Sequence, residues 1–400
     1  MKKVIALILT VVMITCGLGG CSKQPEKEDG GLKIGIILVG DENEGYTAAH
    51  IDGIRTAAKN LGIEESQIIW KYKVDETQAC ADAAIDLVES GCKAIFSNSF
   101  GHQTYMQAVA KENPEVVFVA ATGNNAQTSG LPNLKNAFTR VYESRYVSGV
   151  VAGMKLQEMV QKNELTPENY DKDGNIKLGY VGAYPYEEVV SGYTAFYLGV
   201  KSIVSNVVME VMYTNSWFSI QDEANAAKAM IADHCVIISQ HADSTGAPSA
   251  VEASSSNAYS VGYNIDMLSV APHAALTSAT NTWAVYYQYA FGQLLKGEDI
   301  AVDWAEGYQQ DAVAITELGS SCASGTKEKV EEVIAALKSG QLHVFDTSTF
   351  TVGGEKVTSF KIDVNGEHEA VYDGYFHESE FRSAPYFGFR IDGITEIGSN

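Results

Sequence analysis

Positive charge is scarce in this chain. Its 400 residues carry 28 Lys and Arg against 50 Asp and Glu, a net charge of −22. Nucleic acid is held through phosphates and needs Lys/Arg patches, so this balance excludes it as a partner. The signatures of phosphate and enzyme chemistry are missing too: there is no GxGxxG, P-loop, HExxH or GxSxG. The eight histidines show no metal spacing. Beyond Cys16 and Cys21 only Cys80, Cys92, Cys235 and Cys322 remain, in no zinc pattern. They read as buried free thiols, with an oxidised Cys80–Cys92 pair as the alternative. No cofactor, metal or catalytic set is implied, which favours a binding protein over an enzyme. No stretch after residue 20 is long and apolar enough for a transmembrane helix.

What is present begins at the N-terminus. Lys2 and Lys3 precede an apolar run from Val4 to Ile14, and small residues lead to Leu18-Gly19-Gly20-Cys21. This is the layout of a secretory signal peptide over residues 1–20. The ending resembles a bacterial lipobox, in which the cysteine is acylated and becomes the new N-terminus. Residues 21–31 are polar and rich in charge, with Gly and Pro, and read as a lipidated Cys21 on a flexible tether. The expected location is the extracytoplasmic side of the cell membrane, held by lipid alone.

After the tether, short β-branched runs alternate with amphipathic helices. KIGIILVG (33–40), QIIWKYKV (67–74), KAIFSNS (93–99) and VVFVAAT (116–122) read as strands, with helices between them. A polar break at 163–175 separates a second series: KLGYVGAY (177–184), NVVMEVMYT (206–214), CVIISQ (235–240) and YSVGYNI (259–265). Such βαβα runs predict parallel open sheets flanked by helices, here two in succession. AALTSAT (274–280) and the helix near 282–296 fit a return to the first lobe.

In open α/β sheets the ligand sits beyond the carboxyl ends of the strands. Those positions hold Asp41 to Tyr46, Asn98 to Phe100, Thr122 to Asn124, Tyr184, Asn215 to Phe218, His241 to Ser244, Asn264 to Asp266, and Ser278 to Trp283. They are rich in aromatics and short polar side chains and poor in Lys and Arg. Aromatic faces stack on heterocycles, while Asp and Asn pair with ring N–H and acceptor edges. A flat, neutral, nitrogen-rich ligand fits. Taken singly, Trp217 and Trp283 read equally well as core aromatics, and Asp243 and Asp266 as helix N-caps.

Eight segments in order carry a family resemblance. They are GDENEGYTAAHIDG (40–53), the stretch 98–123 from NSFGHQTY to VAATG, NAFTRVYESRYVSGVVAG (136–153), the stretch 178–202 from LGYVGAYP to GVKS, TNSWFSIQDEANAAKAMI (214–231), SQHADSTGAPSAVEA (239–253), VGYNIDM (261–267) and LTSATNTWAVYY (276–287). The chain resembles the basic membrane protein (BMP) family of ABC-transporter substrate-binding lipoproteins, and within it a subgroup that binds purine bases such as adenine.

The resemblance implies an α/β, two-lobed periplasmic-binding-protein type I fold with three crossovers. Lobe one would hold 32–141 and 274–298, and lobe two 142–273 and 299–400. It implies a monomer that captures a purine-type base between the lobes and presents it to an ABC permease and its ATPase. Tyr46 and Trp217 would sandwich the ring. Asp243 would bond its edge, joined by Asn98 or Asp266. Trp283 would wall the pocket, with Asp41 and Asn264 as further contacts. The lysine that follows LTS in nucleoside binders falls near Asn281, which leans the expectation toward a free base. Other ligands (a nucleoside, riboflavin, a sugar) or a signalling role without transport remain open.

Overall fold

The alternating pattern resolves into two open sheets joined by three chain crossings. A computed structural model describes residues 31–398. The expected leader, Cys21 and the tether up to residue 30 lie outside the described residues.

The first series runs β1 (Ile34–Ile37), α1 (Gly45–Leu61), β2 (Ile68–Lys71), α2 (Gln78–Glu89), β3 (Ala94–Ser97), α3 (Gln103–Glu112), β4 (Val117–Ala121) and β5 (Leu134–Thr139). The chain then crosses into α4 (Val141–Gln161) and the second series: β6 (Ile176–Gly182), α5 (Glu187–Lys201), β7 (Val207–Tyr213), α6 (Ile220–Ala232), β8 (Ile237–Gln240), α7 (Gly246–Glu252), β9 (Tyr259–Tyr263) and β10 (Ala275–Asn281). It returns through α8 (Trp283–Lys296) and β11 (Asp303–Glu306), then crosses again to β12 (Val313–Ile315) and α9 (Thr326–Lys338). The tail forms two small hairpins, β13 (Lys361–Asp363) with β14 (Glu367–Glu369) and β15 (Val371–Tyr372) with β16 (Tyr375–Phe376), and ends in β17 (Ile394–Ile397).

The first sheet has the order β11-β5-β4-β3-β1-β2 and the second β12-β10-β9-β8-β6-β7-β17. Every pairing in them is parallel except β10 with β12. Parallel strands are covered on both faces, which explains why β1, β3, β5 and β8 are buried at every position rather than alternating. In each sheet the strand order reverses once, between β1 and β3 and between β6 and β8. These switch points open crevices at the strand carboxyl ends.

The lobe boundaries read from sequence need two corrections. Strand 275–281 was expected in lobe one, but β10 pairs with β9 and β12 in the second sheet. Residues 303–306 were expected in lobe two, but β11 pairs with β5 in the first. Strand propensity cannot tell which sheet edge will accept a strand; pairing decides. The helix of that segment does sit with the first sheet: Trp283, Tyr287 and Phe291 of α8 share a core with Ile51 and Ile54 of α1. Each such fully buried side chain contributes about 1.5–3 kcal/mol. The tail buries Phe345, Phe350, Phe376 and Phe387 against the core that contains α4 and α5. Cys80, Cys92 and Cys235 are buried, and all four cysteines among the described residues are unpaired. No helix among the described residues is long and apolar enough to cross a membrane.

Candidate functional site

A cleft of about 540 Å³ opens where the carboxyl ends of the two sheets face each other, inside the usual ~300–1,000 Å³ of small-ligand pockets. The first sheet contributes the loop after β1 (Val39 to Glu44), Tyr46 on the first turn of α1, Lys73, Asn98 to Phe100, and Thr122. The second contributes Tyr184, Glu188, Ser216 to Phe218, His241, Asp243 and Tyr263.

The loop after β1 is held from within. Glu44 caps α1, its carboxylate accepting from the backbone N–H of Tyr46 at 2.9 Å and of Thr47 at 3.0 Å. Asp41 pairs with Lys73 at 2.7 Å and accepts from the N–H of Asn43 at 3.0 Å. The Lys73 ammonium, together with Asn43, holds the Asp41 carboxyl down at about 2. Lys73 is thus paired with Asp41, with its side chain 71% exposed. The Asn98 side chain is also committed: its Oδ1 accepts from Val39 N at 2.9 Å and its Nδ2 donates to Thr47 Oγ1 at 3.2 Å. Its carbonyl accepts from the Tyr46 hydroxyl, which fixes that ring in the wall. Thr122, immediately after β4, sits at φ 64°, a left-handed conformation that costs a β-branched residue about 1–3 kcal/mol and is characteristic of functional sites.

The opposite wall is aromatic. Tyr184 and Tyr186 stack at 5.1 Å, and Trp217 meets Tyr184 edge-on at 5.2 Å. Phe100 of the first lobe reaches Tyr186 of the second at 6.0 Å, closing one side of the mouth. Beneath them lies a buried polar floor. Asp243 donates its backbone N–H to Trp217 O at 2.8 Å, and its Oδ1 accepts from Asn264 Nδ2 at 2.6 Å. Burial pushes the Asp243 carboxyl well above the usual range, helped by the negative Glu44, Glu223 and Glu188 and opposed by Arg145. His241 meets Glu188 at 2.9 Å through Nε2. Burial, then the Arg145 cation, lower its pKa to about 4, so it is neutral at physiological pH. The Arg145 guanidinium lies 3.6 Å over the Tyr263 ring and donates to Gln240 O at 2.5 Å.

Five of the eight binding residues expected from sequence therefore line the cleft: Asp41, Tyr46, Asn98, Trp217 and Asp243. Three do not. Trp283 is buried behind Tyr46, stacked on His50 at 4.0 Å, and is core rather than wall. Asp266 is exposed, its carboxylate accepting from Leu268 N at 2.9 Å as a turn cap. Asn264 is buried, its side chain turned to Asp243 and Asn281. Sequence reasoning missed Lys73, Glu188 and Tyr263. The strand read over 67–74 ends at Lys71, so Lys73 is a strand-end residue after all. Tyr263 is the last residue of β9, and Glu188 lies in the first turn of the helix that follows β6.

A family model described as ABC transporter substrate-binding protein PnrA-like (Bmp) matches residues 32–344. A purine-binding protein of Brucella abortus (strain 2308) is 30% identical over 347 residues, covering 85% of this chain and 91% of that protein. A putative ABC transporter glucose-binding protein of Haloferax volcanii is 29% identical over 314 residues, 76% of this chain and 74% of that protein. Among solved structures, a solute-binding protein of an ABC transporter system from Aeropyrum pernix K1 gives a TM-score of 0.64 at 14% identity, over 79% of this chain and 93% of that one. One from Conexibacter woesei gives 0.60 at 18%, over 78% and 98%. At these identities the structural likeness shows the fold, that of periplasmic-binding-protein-like solute receptors.

Proposed function

The chain belongs to the Bmp family of PnrA-like ABC transporter substrate-binding proteins, and from that membership we propose that its cleft captures a purine-type nucleobase, adenine-like in its hydrogen-bonding edge. Substrate-binding proteins of this kind bind small ligands and work with a permease and an ATPase; the chain is not an enzyme. The observation that carries the ligand reading is a cleft with aromatic walls over the buried Asp243 carboxyl, whose one lining Lys is already paired with Asp41. A phosphorylated ligand meets a single exposed Lys there, already paired with Asp41, whereas a flat base finds both a stacking face and a polar edge. The purine-binding Brucella relative supports the same reading.

Trp217→Ala is expected to cost about 1–3 kcal/mol of adenine affinity, the usual worth of a base–aromatic stack. Calorimetry on the full-length chain against adenine, guanine, adenosine and glucose tests the reading. Tight glucose binding with no response to any purine would overturn it. That arm matters because carboxylates beside aromatic rings also suit a hexose, and the Haloferax relative is named for glucose.

We further propose that the receptor is held at the outer face of the cell membrane by acylation at Cys21, the cysteine that closes the lipobox-like Leu18-Gly19-Gly20-Cys21. Cys21→Ser is expected to abolish palmitate labelling and to move the protein from the membrane fraction to the soluble one. Continued labelling of the variant would refute the anchor.

A further inference from the structure

A chain of buried side chains runs from the hinge to the cleft. Thr139 is the last residue of β5, immediately before the first crossing, and Asn281 is the last residue of β10, immediately before the second. The Thr139 hydroxyl donates to Asn281 Oδ1. Asn281 Nδ2 donates to Asn264 Oδ1 at 3.2 Å, and Asn264 Nδ2 donates to Asp243 Oδ1 at 2.6 Å. All four residues are at most 6% exposed.

The bonds run in one sense. The two amides pass one donor each toward the cleft, and the Thr139 hydroxyl supplies the first. Asn264 has little freedom to turn away. It sits at φ 63°, which asparagine tolerates, its N–H donates to Ala279 O at 2.9 Å, and its carbonyl accepts from Thr280 Oγ1 at 2.8 Å. Phe138, Val141 and Tyr263 pack beside the junction as a separate apolar cluster.

We propose that Thr139, Asn281 and Asn264 are positioning residues that hold the Asp243 carboxyl in its ligand-facing orientation and tie that orientation to the geometry of the hinge. None of the three lines the cleft, so they act through residues that do: Asp243 at the end of the chain of bonds, and Tyr263, whose hydroxyl accepts from Asn281 Nδ2 at 3.4 Å. An open hinge that separates Thr139 from Asn281 frees the Asn281 amide, then the Asn264 amide, and leaves the carboxyl without its partner. Closure restores all three bonds together. Buried networks of this kind reward completeness, since one missing partner leaves an unsatisfied polar group. The proposal takes from the purine reading only that Asp243 faces the ligand.

The test uses the full-length chain with Thr139→Val, which removes the hydroxyl at nearly constant shape, and Thr139→Ser, which keeps it. Asn281→Ala breaks the middle link as an independent variant. The first readout needs no ligand: carbon-13 NMR titration of the Asp243 carboxyl, assigned with Asp243→Asn. Glu44 at the N-cap of α1, Arg145 of α4, Glu188 of α5 and Glu223 of α6 face Asp243 and are unchanged in every relay variant. Loss of the Asn264 donor should therefore move the Asp243 midpoint upward in Thr139→Val and Asn281→Ala and leave it in place in Thr139→Ser. The second readout is adenine affinity, expected to fall roughly five-fold in the first two variants, the usual effect of one hydrogen bond, and to hold in Thr139→Ser. An unmoved midpoint in Thr139→Val and Asn281→Ala, or identical behaviour of the Val and Ser variants, would overturn the relay. A wild-type chain that ignores adenine, with Thr139→Val and Asn281→Ala still showing the midpoint shift, would keep the relay and sink the purine reading instead.

Discussion

Asp243→Ala is expected to weaken adenine binding by roughly 100-fold, while Asp243→Asn retains most of the affinity. The first effect is the loss of two buried hydrogen bonds, at about 0.5–1.5 kcal/mol each, plus the cost of leaving ligand groups without partners. The second depends on protonation. Burial and the carboxylates of Glu44, Glu223 and Glu188 raise the Asp243 pKa well above its ordinary value, so the acid keeps its proton as pH passes through the usual carboxylate range. A protonated carboxyl offers one O–H donor and one acceptor. The N7/N6 edge of adenine offers one acceptor and one donor. An asparagine amide presents the same complementary pair, whereas a carboxylate presents acceptors only. The sign of the pH dependence follows: a raised folded-state pKa means the competent, protonated form persists below it, so affinity stays level and falls as pH rises through it. The same group contributes folding stability below its unfolded pKa and loses that contribution over the same rise. Calorimetry at stepped pH, in buffers of different ionisation enthalpy, measures both. An Asn variant as weak as the Ala one, with wild-type affinity rising with pH, would mean the ionised form binds and would shift the reading toward a donor-edged base such as guanine.

The cleft was legible in the sequence because strand carboxyl ends can be located from hydrophobic runs, and ligands in open α/β sheets sit there. That rule placed Asp41, Tyr46, Asn98, Trp217 and Asp243 correctly at the cleft. It could not say which strand-end side chains point outward. Asn264 follows β9 as expected but turns inward to hold Asp243, and Asp266 one turn on is spent on Leu268. Trp283 fell to the alternative of a core aromatic, since the face it turns depends on α1 packing against α8. The family resemblance placed three crossovers, yet β10 and β11 were exchanged between lobes because edge pairing is a tertiary choice with no local signal. Arg145 was invisible for another reason. A buried cation in mid-pattern looks like a solvent-facing helix residue until the Tyr263 ring and Gln240 carbonyl are seen around it.

Gly149→Ala should destabilise the fold by about 1–3 kcal/mol or more, against the usual direction for such a change in a helix. On propensity alone, replacing an interior helical glycine by alanine gains roughly 1 kcal/mol. Here the helices α4 and α5 cross backbone against backbone. A Cβ on Gly149 would lie 2.1 Å from Phe196 O, and one on Gly199 would lie 2.1 Å from Tyr146 O. Both obstacles are main-chain atoms inside helices, which cannot step aside as a side-chain tip can, so the helices must separate. Overpacking then outweighs propensity. The separation also reaches the site, because α4 carries Arg145 one turn before Gly149 and α5 carries Glu188 in its first turn. Adenine affinity should fall along with stability. Gly292 in α8 provides the opposite sign: nothing lies within 4 Å of a Cβ placed there, so Gly292→Ala should stabilise by about 0.5–1 kcal/mol and leave binding alone. Urea unfolding midpoints of the two variants, measured side by side, decide the matter. If Gly149→Ala stabilised as much as Gly292→Ala, the close crossing of α4 and α5 would not outweigh helix propensity.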